Sequence, residues 1–260
     1  MVNWNMLRNL ETQELVDYSG YRMSKKELFI YVAEYEAISG IIAYFFYRSI
    51  IALLVASVFV ALFLKYKKKQ LIKKRKEMLA VQFKELLNAV NGSLVAGYSI
   101  ENAFIGSIGD MEGFYGKNSY IVKELYVIRR GLANNVSLTA LLKDFARRSN
   151  VDDIEDFAAV LTIGKQTGGN ICGILDSYIT VVDEKLSVMQ EIETMVSARR
   201  FEQKIMNVVP FGIIFYVDLT SRGFFDVLYH NVIGAAVMSV ALLLYMISIV
   251  MSEKIMNISV

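Results

Sequence analysis

Side chains able to do chemistry are few in this chain, and their spacing builds no reaction centre. There is one cysteine, Cys172, and one histidine, His230. Most zinc and haem sites draw several ligands from these two residue types, so such sites are excluded. Cys172 cannot close an internal disulfide. It follows Gly169-Asn170 on a predicted helix and reads as a small core residue rather than a reactive thiol. His230, beside Tyr229, reads as a membrane-interface residue rather than a base. The run Gly164-Lys165-Gln166-Thr167-Gly168-Gly169 lacks the glycine spacing and the Gly-Lys-Ser/Thr ending of a phosphate loop. Asp152, Asp153, Glu155 and Asp156 lack the spacing of a calcium loop; they suit a helix start, where the dipole favours negative charge. No catalytic, cofactor or metal residue is expected, and the chain is expected not to be an enzyme.

Function must then lie in surfaces. Three arginine pairs, Arg129-Arg130, Arg147-Arg148 and Arg199-Arg200, interrupt an otherwise acidic block. Solvated surface charge is their plain reading. The sharper one is docking to acidic patches of a partner, where charge complementarity sets register and encounter rate.

The elements that would position those pairs are helices. The chain has 260 residues, 55% of them hydrophobic, a mean hydropathy of +0.39 and a formal net charge of +2. The charges are segregated. Eight cations (Lys65, Lys67, Lys68, Lys69, Lys73, Lys74, Arg75 and Lys76) directly follow the apolar stretch Ile50–Leu64. Cationic segments beside an apolar helix stay on the cytoplasmic face, which makes nucleic acid a poor reading for this run. The single proline, Pro210, favours long helices. No cleavable signal is expected, because Arg8, Glu11, Glu14 and Asp17 interrupt any apolar core.

Residues 232–251 contain no charge and are long enough to cross a bilayer core of about 30 Å. Residues 205–219 are apolar apart from Asn207 and Asp218 and are expected as a second membrane helix. Asp218, Arg222, Asp226 and His230 then fall around the external loop 220–231. Near the other end, Ala37–Tyr47 and Ile50–Leu64 are divided by Arg48-Ser49. One tilted helix would bury Arg48; a short hairpin would leave it at the interface, and the hairpin is preferred. Ser24-Lys25-Lys26-Glu27 has the form of a capping box. The expected organisation is a cytoplasmic segment 1–36, membrane residues 37–64, a cytoplasmic helical bundle 65–204, membrane helix 205–219, loop 220–231, membrane helix 232–251 and a cytoplasmic tail 252–260.

Within the bundle, Leu79, Phe83, Leu86, Leu87, Val90 and Leu94 recur at helical steps. So do Phe157, Val160, Leu161 and Gly164, and Ile174, Leu175, Tyr178, Val181, Val182, Leu186, Met189 and Ile192. Three breaks share a form in which a left-handed cap residue precedes a serine or asparagine N-cap. They hold Gly97 with Ser99, Asn134-Asn135 with Ser137, and Gly168-Gly169 with Asn170. Their similar spacing suggests recurring helical hairpins. Gly109–Tyr120 is expected as a polar, glycine-rich loop.

At these turns the sequence resembles the F-domain family of type II secretion and type IV pilus machines, in particular the membrane platform proteins of tight-adherence (Tad) pili. The resemblance is carried by Leu94-Val95-Ala96-Gly97-Tyr98-Ser99-Ile100-Glu101-Asn102-Ala103 and by Phe145-Ala146-Arg147-Arg148-Ser149 with Asp153-Ile154 and Phe157. It continues through Thr167-Gly168-Gly169-Asn170 with Leu175, a membrane segment around Pro210, and Leu228-Tyr229 with Gly234. It covers roughly residues 37–260. It implies an all-α integral protein of the inner (cytoplasmic) membrane, multi-pass, with a cytoplasmic F-domain bundle between terminal membrane helices. The implied role is a non-enzymatic platform coupling a cytoplasmic hexameric secretion ATPase to pilin (prepilin) assembly. General-secretion platforms carry two F domains; with one, this chain would need a paralogous partner or self-association, and its short N-terminal segment leans toward the B-type member. Pro210 is then a candidate flexure point between bundle and membrane. A different reading is a transporter subunit in which Arg48, Asp218 and Arg222 line a polar path.

Overall fold

A computed structural model describes residues 18, 20, 21, 23–167, 171–221, 223–225, 228–229 and 231–256. The described residues form helices and no strand. In chain order the helices are α1 Lys25–Tyr47, α2 Ile50–Ser57, α3 Val60–Val95, α4 Ile100–Tyr115 and α5 Tyr120–Ala133. They continue with α6 Leu138–Ser149, α7 Asp152–Thr167, α8 Ile171–Thr220 and α9 Val232–Met256. The chain divides into two units. The first comprises Met1–Arg22 and Lys68–Leu186, the second Met23–Lys67 and Ser187–Val260.

The first unit is a helical bundle with a continuous apolar core. The α3 stripe Leu79, Phe83, Leu86, Leu87, Val90 and Leu94 is buried throughout its length. Phe83 meets Phe157 edge-on at 5.6 Å and Phe145 at 6.1 Å. These T-shaped contacts set the positive edge of one ring against the negative face of the next. Consecutive helices pack as pairs: α4 on α5, α5 on α6, α6 on α7.

The connections are as short as the turn residues allow. After α3, Gly97 takes φ 91°, a conformation that a Cβ disfavours, and the Tyr98 N–H donates to the Ser93 carbonyl at 3.1 Å. Ser99 then caps α4 by accepting from the Asn102 N–H. After α5, Asn135 takes the left-handed conformation (φ 60°), the Val136 N–H donates to the Gly131 carbonyl at 3.0 Å, and Ser137 caps α6. Gly131 lets α6 approach closely: a Cβ there would lie 2.4 Å from Cδ2 of Leu141. The turn at Gly168, Gly169 and Asn170 lies outside the described residues.

The second unit has the opposite character. Its first two helices reverse at Arg48 (φ 43°), and Ser49 caps α2 by accepting from the Ile51 N–H. Across this hairpin, Tyr35 donates to the Ala56 carbonyl at 2.7 Å and Ser57 donates to the Glu36 carboxylate at 3.1 Å. Helix α9 packs on α1, with Tyr47 and Ser239 hydroxyls 2.8 Å apart. Among its described residues, Phe46, Tyr229 and Met238 form a small buried cluster. Most other apolar side chains face outward: Ile50 is 79% exposed, Val232 85% and Ile233 74%. Such surface suits hydrocarbon, where exposure of apolar side chains has no penalty. Two helices, Lys25–Tyr47 and Val232–Ile255, are long and apolar enough to cross a membrane; α2 with the start of α3, bent by 47°, could make a third.

Helix α1 starts at Lys25, as the Ser24–Glu27 capping box predicts, with the Ser24 N–H donating to Glu27 at 2.8 Å. One expectation changes. Residues 109–115 belong to α4 rather than to a loop. A helical glycine costs only about 1 kcal/mol, and burial of Ile108 and Met111 outweighs it. Residues 205–219, expected as a membrane helix, form the last stretch of α8, which runs unbroken from Ile171 to Thr220. At about 1.5 Å per residue that stretch is shorter than a bilayer core, and it is not among the helices able to span one on their own.

Candidate interaction sites

The six arginines fall into two classes. Arg148 is buried. Its guanidinium forks onto Glu124, with Nη1 2.8 Å from Oε1 and Nη2 2.6 Å from Oε2. Its Nε donates to Asp144 at 2.7 Å. The side chains of Arg148 and Glu124 are only 12% and 2% exposed. A bidentate guanidinium–carboxylate pair is among the strongest hydrogen-bonded contacts available to a buried charge. The Arg147 side chain, one residue earlier, is 62% exposed and pairs with Asp144 at 2.7 Å. Adjacent helical residues point about 100° apart, so on α6 Arg147 faces solvent while Arg148 turns toward the core. Arg148 is therefore withdrawn from the docking set, because its charge is spent inside the bundle.

Glu124 also holds Tyr18. The Tyr18 phenol donates to its Oε1 at 3.0 Å, and the Tyr18 N–H donates to the Arg148 carbonyl at 3.3 Å. Tyr18 is fully buried, against the rings of Tyr120 (5.7 Å) and Phe145 (6.4 Å). Arg75 lies over Tyr120 at 4.7 Å and over Tyr18 and Tyr21 at 5.5 Å, and donates to the Gly20 carbonyl at 3.1 Å. Burial, reinforced by the negative charge of Glu124, holds the Tyr18 phenol far above its usual range, so it stays a neutral donor. Burial works against the Arg148 charge, but the bonds and charges of Glu124 and Asp144 outweigh it and the guanidinium stays protonated. The cluster holds Tyr18, Gly20 and Tyr21 on the bundle.

The other five arginines are exposed. Arg129 stacks 4.5 Å over the Tyr126 ring, and Arg130 follows it on α5. On α8, Arg199 pairs with Glu202 at 3.1 Å and Arg200 with Glu193 at 3.6 Å; such surface pairs contribute roughly 0–1 kcal/mol and are readily exchanged. Pro210 sits inside α8 without interrupting it, though its ring removes one ladder hydrogen bond. Cys172 is half-buried at the edge of the bundle core. Arg48 and Asp218 form an ion pair with each other, and the Arg48 guanidinium lies 5.0 Å from the Tyr229 ring centre. Arg222, Asp226 and His230 lie outside the described residues.

Sequence reasoning missed Tyr18, Arg75 and Glu124. One signal was available: Glu124 occupies a core position of α5, between Ile121 and Ile128 and next to Leu125. A carboxylate in that phase demands a buried cation. Searches of family models, of curated proteins and of solved structures find no match to this chain.

Proposed function

We propose that the chain is a non-enzymatic membrane platform of a pilus or secretion machine, in which a cytoplasmic bundle receives movement from a hexameric ATPase and passes it to helices that handle pilin. One observation carries the reading: a well-packed polar bundle and a unit clad in exposed apolar side chains are built on the same chain, with helices able to span a membrane near both ends. The turn holding Gly97 and Ser99 adds to it, since both are residues of the F-domain resemblance. A single such bundle calls for a paralogous or second identical subunit. In this reading the cytoplasmic membrane is the location, and Arg129, Arg130 and Arg147, exposed on the bundle, are the candidate motor contacts, with Arg199 and Arg200 further along α8.

The test is charge reversal at the exposed positions only. Arg129→Glu with Arg130→Glu should abolish co-purification with a hexameric secretion ATPase of the same organism while leaving the helical content unchanged. Undiminished co-purification and assembly would remove these residues from the motor interface.

A further inference from the structure

From Ala37 through Lys76 the chain contains no aspartate or glutamate, yet its last twelve residues hold eight cations. On α3 those cations are sorted. Lys67 is engaged by Glu34 at 3.1 Å and lies 5.4 Å from the rings of Tyr31 and Phe63. Arg75 is held by Tyr18, Tyr21, Tyr120 and Gly20, and Lys76 donates to the Asn150 carbonyl at 2.9 Å. Lys65, Lys68, Lys69 and Lys73 are exposed. At about 100° per residue these four share an arc of about 140° and extend for about 12 Å along the helix, while Lys74 points about 180° from Lys65. The only acidic neighbour along this arc among the described residues is Glu77, 3.8 Å from Lys73.

The stripe begins where the apolar surface stops. Phe59 (53% exposed) and Leu62 (61%) precede it, and Tyr66 (52%) lies at the junction. Aromatic residues at such a junction mark the headgroup level of a bilayer. We propose that Lys65, Lys68, Lys69 and Lys73 form a docking stripe for the headgroups of anionic phospholipids. Each lysine offers three donors and a full charge to a phosphate, and lipid molecules, unlike a folded partner, can occupy successive turns independently. The stripe would fix the depth and rotation of α3 at the membrane surface. The proposal requires only that the apolar unit lies in a bilayer, so it stands apart from any role in pilus assembly.

The experiment uses the full chain in phosphatidylcholine nanodiscs containing a minor fraction of phosphatidylglycerol, with spin-labelled forms of each lipid reporting relative association. The unmodified protein should prefer phosphatidylglycerol, and the preference should fall as salt is raised. Lys69→Gln should lower it severalfold, up to about fivefold for one surface charge, and Lys65→Gln/Lys68→Gln/Lys69→Gln/Lys73→Gln should abolish it. Lys74→Gln, removing the same charge from the opposite side of the helix, should change it less than Lys69→Gln. Equal effects of Lys69→Gln and Lys74→Gln, or a preference insensitive to salt, would overturn the stripe. So would absence of lipid selectivity in the unmodified protein, whose salt titration needs no variant to fold, or retention of a DNA duplex in place of lipid.

Discussion

The two units use apolar side chains in opposite ways. In the bundle, Phe83, Phe104, Phe145 and Phe157 are almost wholly removed from solvent. In the other unit, side chains as large as Phe215, Leu243, Leu244 and Ile247 remain more than half exposed. One region is held together by water's exclusion from its centre; the other presents its greasiest atoms outward and keeps polar contacts, such as Tyr47 with Ser239 and Tyr229 with the Phe45 carbonyl, between its helices. The contrast teaches that two solvents shaped this chain. Similar helical periodicity means burial in one unit and outward exposure in the other.

The strongest way to break the comparison is to truncate a large apolar side chain to alanine in each unit. Phe157→Ala should destabilise the bundle by about 3–5 kcal/mol, because its cavity lies among three packed rings. Leu243→Ala, on α9, should cost less than about 1 kcal/mol in detergent, since the solvent there is itself apolar. Chemical denaturation followed by circular dichroism measures both, and similar losses would erase the distinction.

A second contrast lies within one pair. Arg148→Ala should cost about 3–5 kcal/mol because Glu124 would be left as an uncompensated buried charge. Arg147→Ala should stay below about 1 kcal/mol. Thermal unfolding of the two variants side by side sharpens the division between core and surface cations.

Backbone proximity predicts the next effect. Gly131→Ala should cost about 1–3 kcal/mol through overpacking, since the new methyl would meet Leu141, itself buried. If its melting temperature equals that of the unmodified chain, α5 and α6 are not as close as 2.4 Å implies.

The smallest effect is a pH dependence. Burial raises the affinity of Glu101 for its proton, but the Lys165 ammonium and a backbone hydrogen bond outweigh this and hold its carboxyl below the usual range. A carboxyl depressed in the folded state stabilises above its unfolded pKa, about 4.3, and loses that contribution as pH falls through the lower folded value. Glu101→Gln should therefore lower the melting temperature slightly at neutral pH and leave it unchanged in acid below the folded value, flattening that side of the stability profile.

Much of this was legible in the chain because it depends on near neighbours. The Ser24–Glu27 box, the Gly97–Ser99 and Asn135–Ser137 turns, the acidic first turn of α7 and the α3 core stripe are all local patterns. What escaped depends on distant partners. Nothing near Arg148 distinguishes it from Arg147; its carboxylate, Glu124, is 24 residues away and belongs to α5. The phase of α8 was also read imperfectly: Val181 is 61% exposed, whereas Ile179 and Val182 are buried and continue the line from Leu175. A helix with apolar residues on several sides permits more than one face, and only the bundle's shape selects among them.

The account rests on the bundle lying in the cytoplasm and the Ser221 turn on the far side of the membrane. Two single-cysteine proteins in a Cys172→Ser background, Lys117→Cys in the bundle and Ser221→Cys after α8, can be treated on intact cells, or on spheroplasts where an outer envelope intervenes, with a membrane-impermeant maleimide. Labelling of Ser221→Cys at once, and of Lys117→Cys only after lysis, is the predicted result. Labelling of Lys117→Cys on intact cells would contradict it.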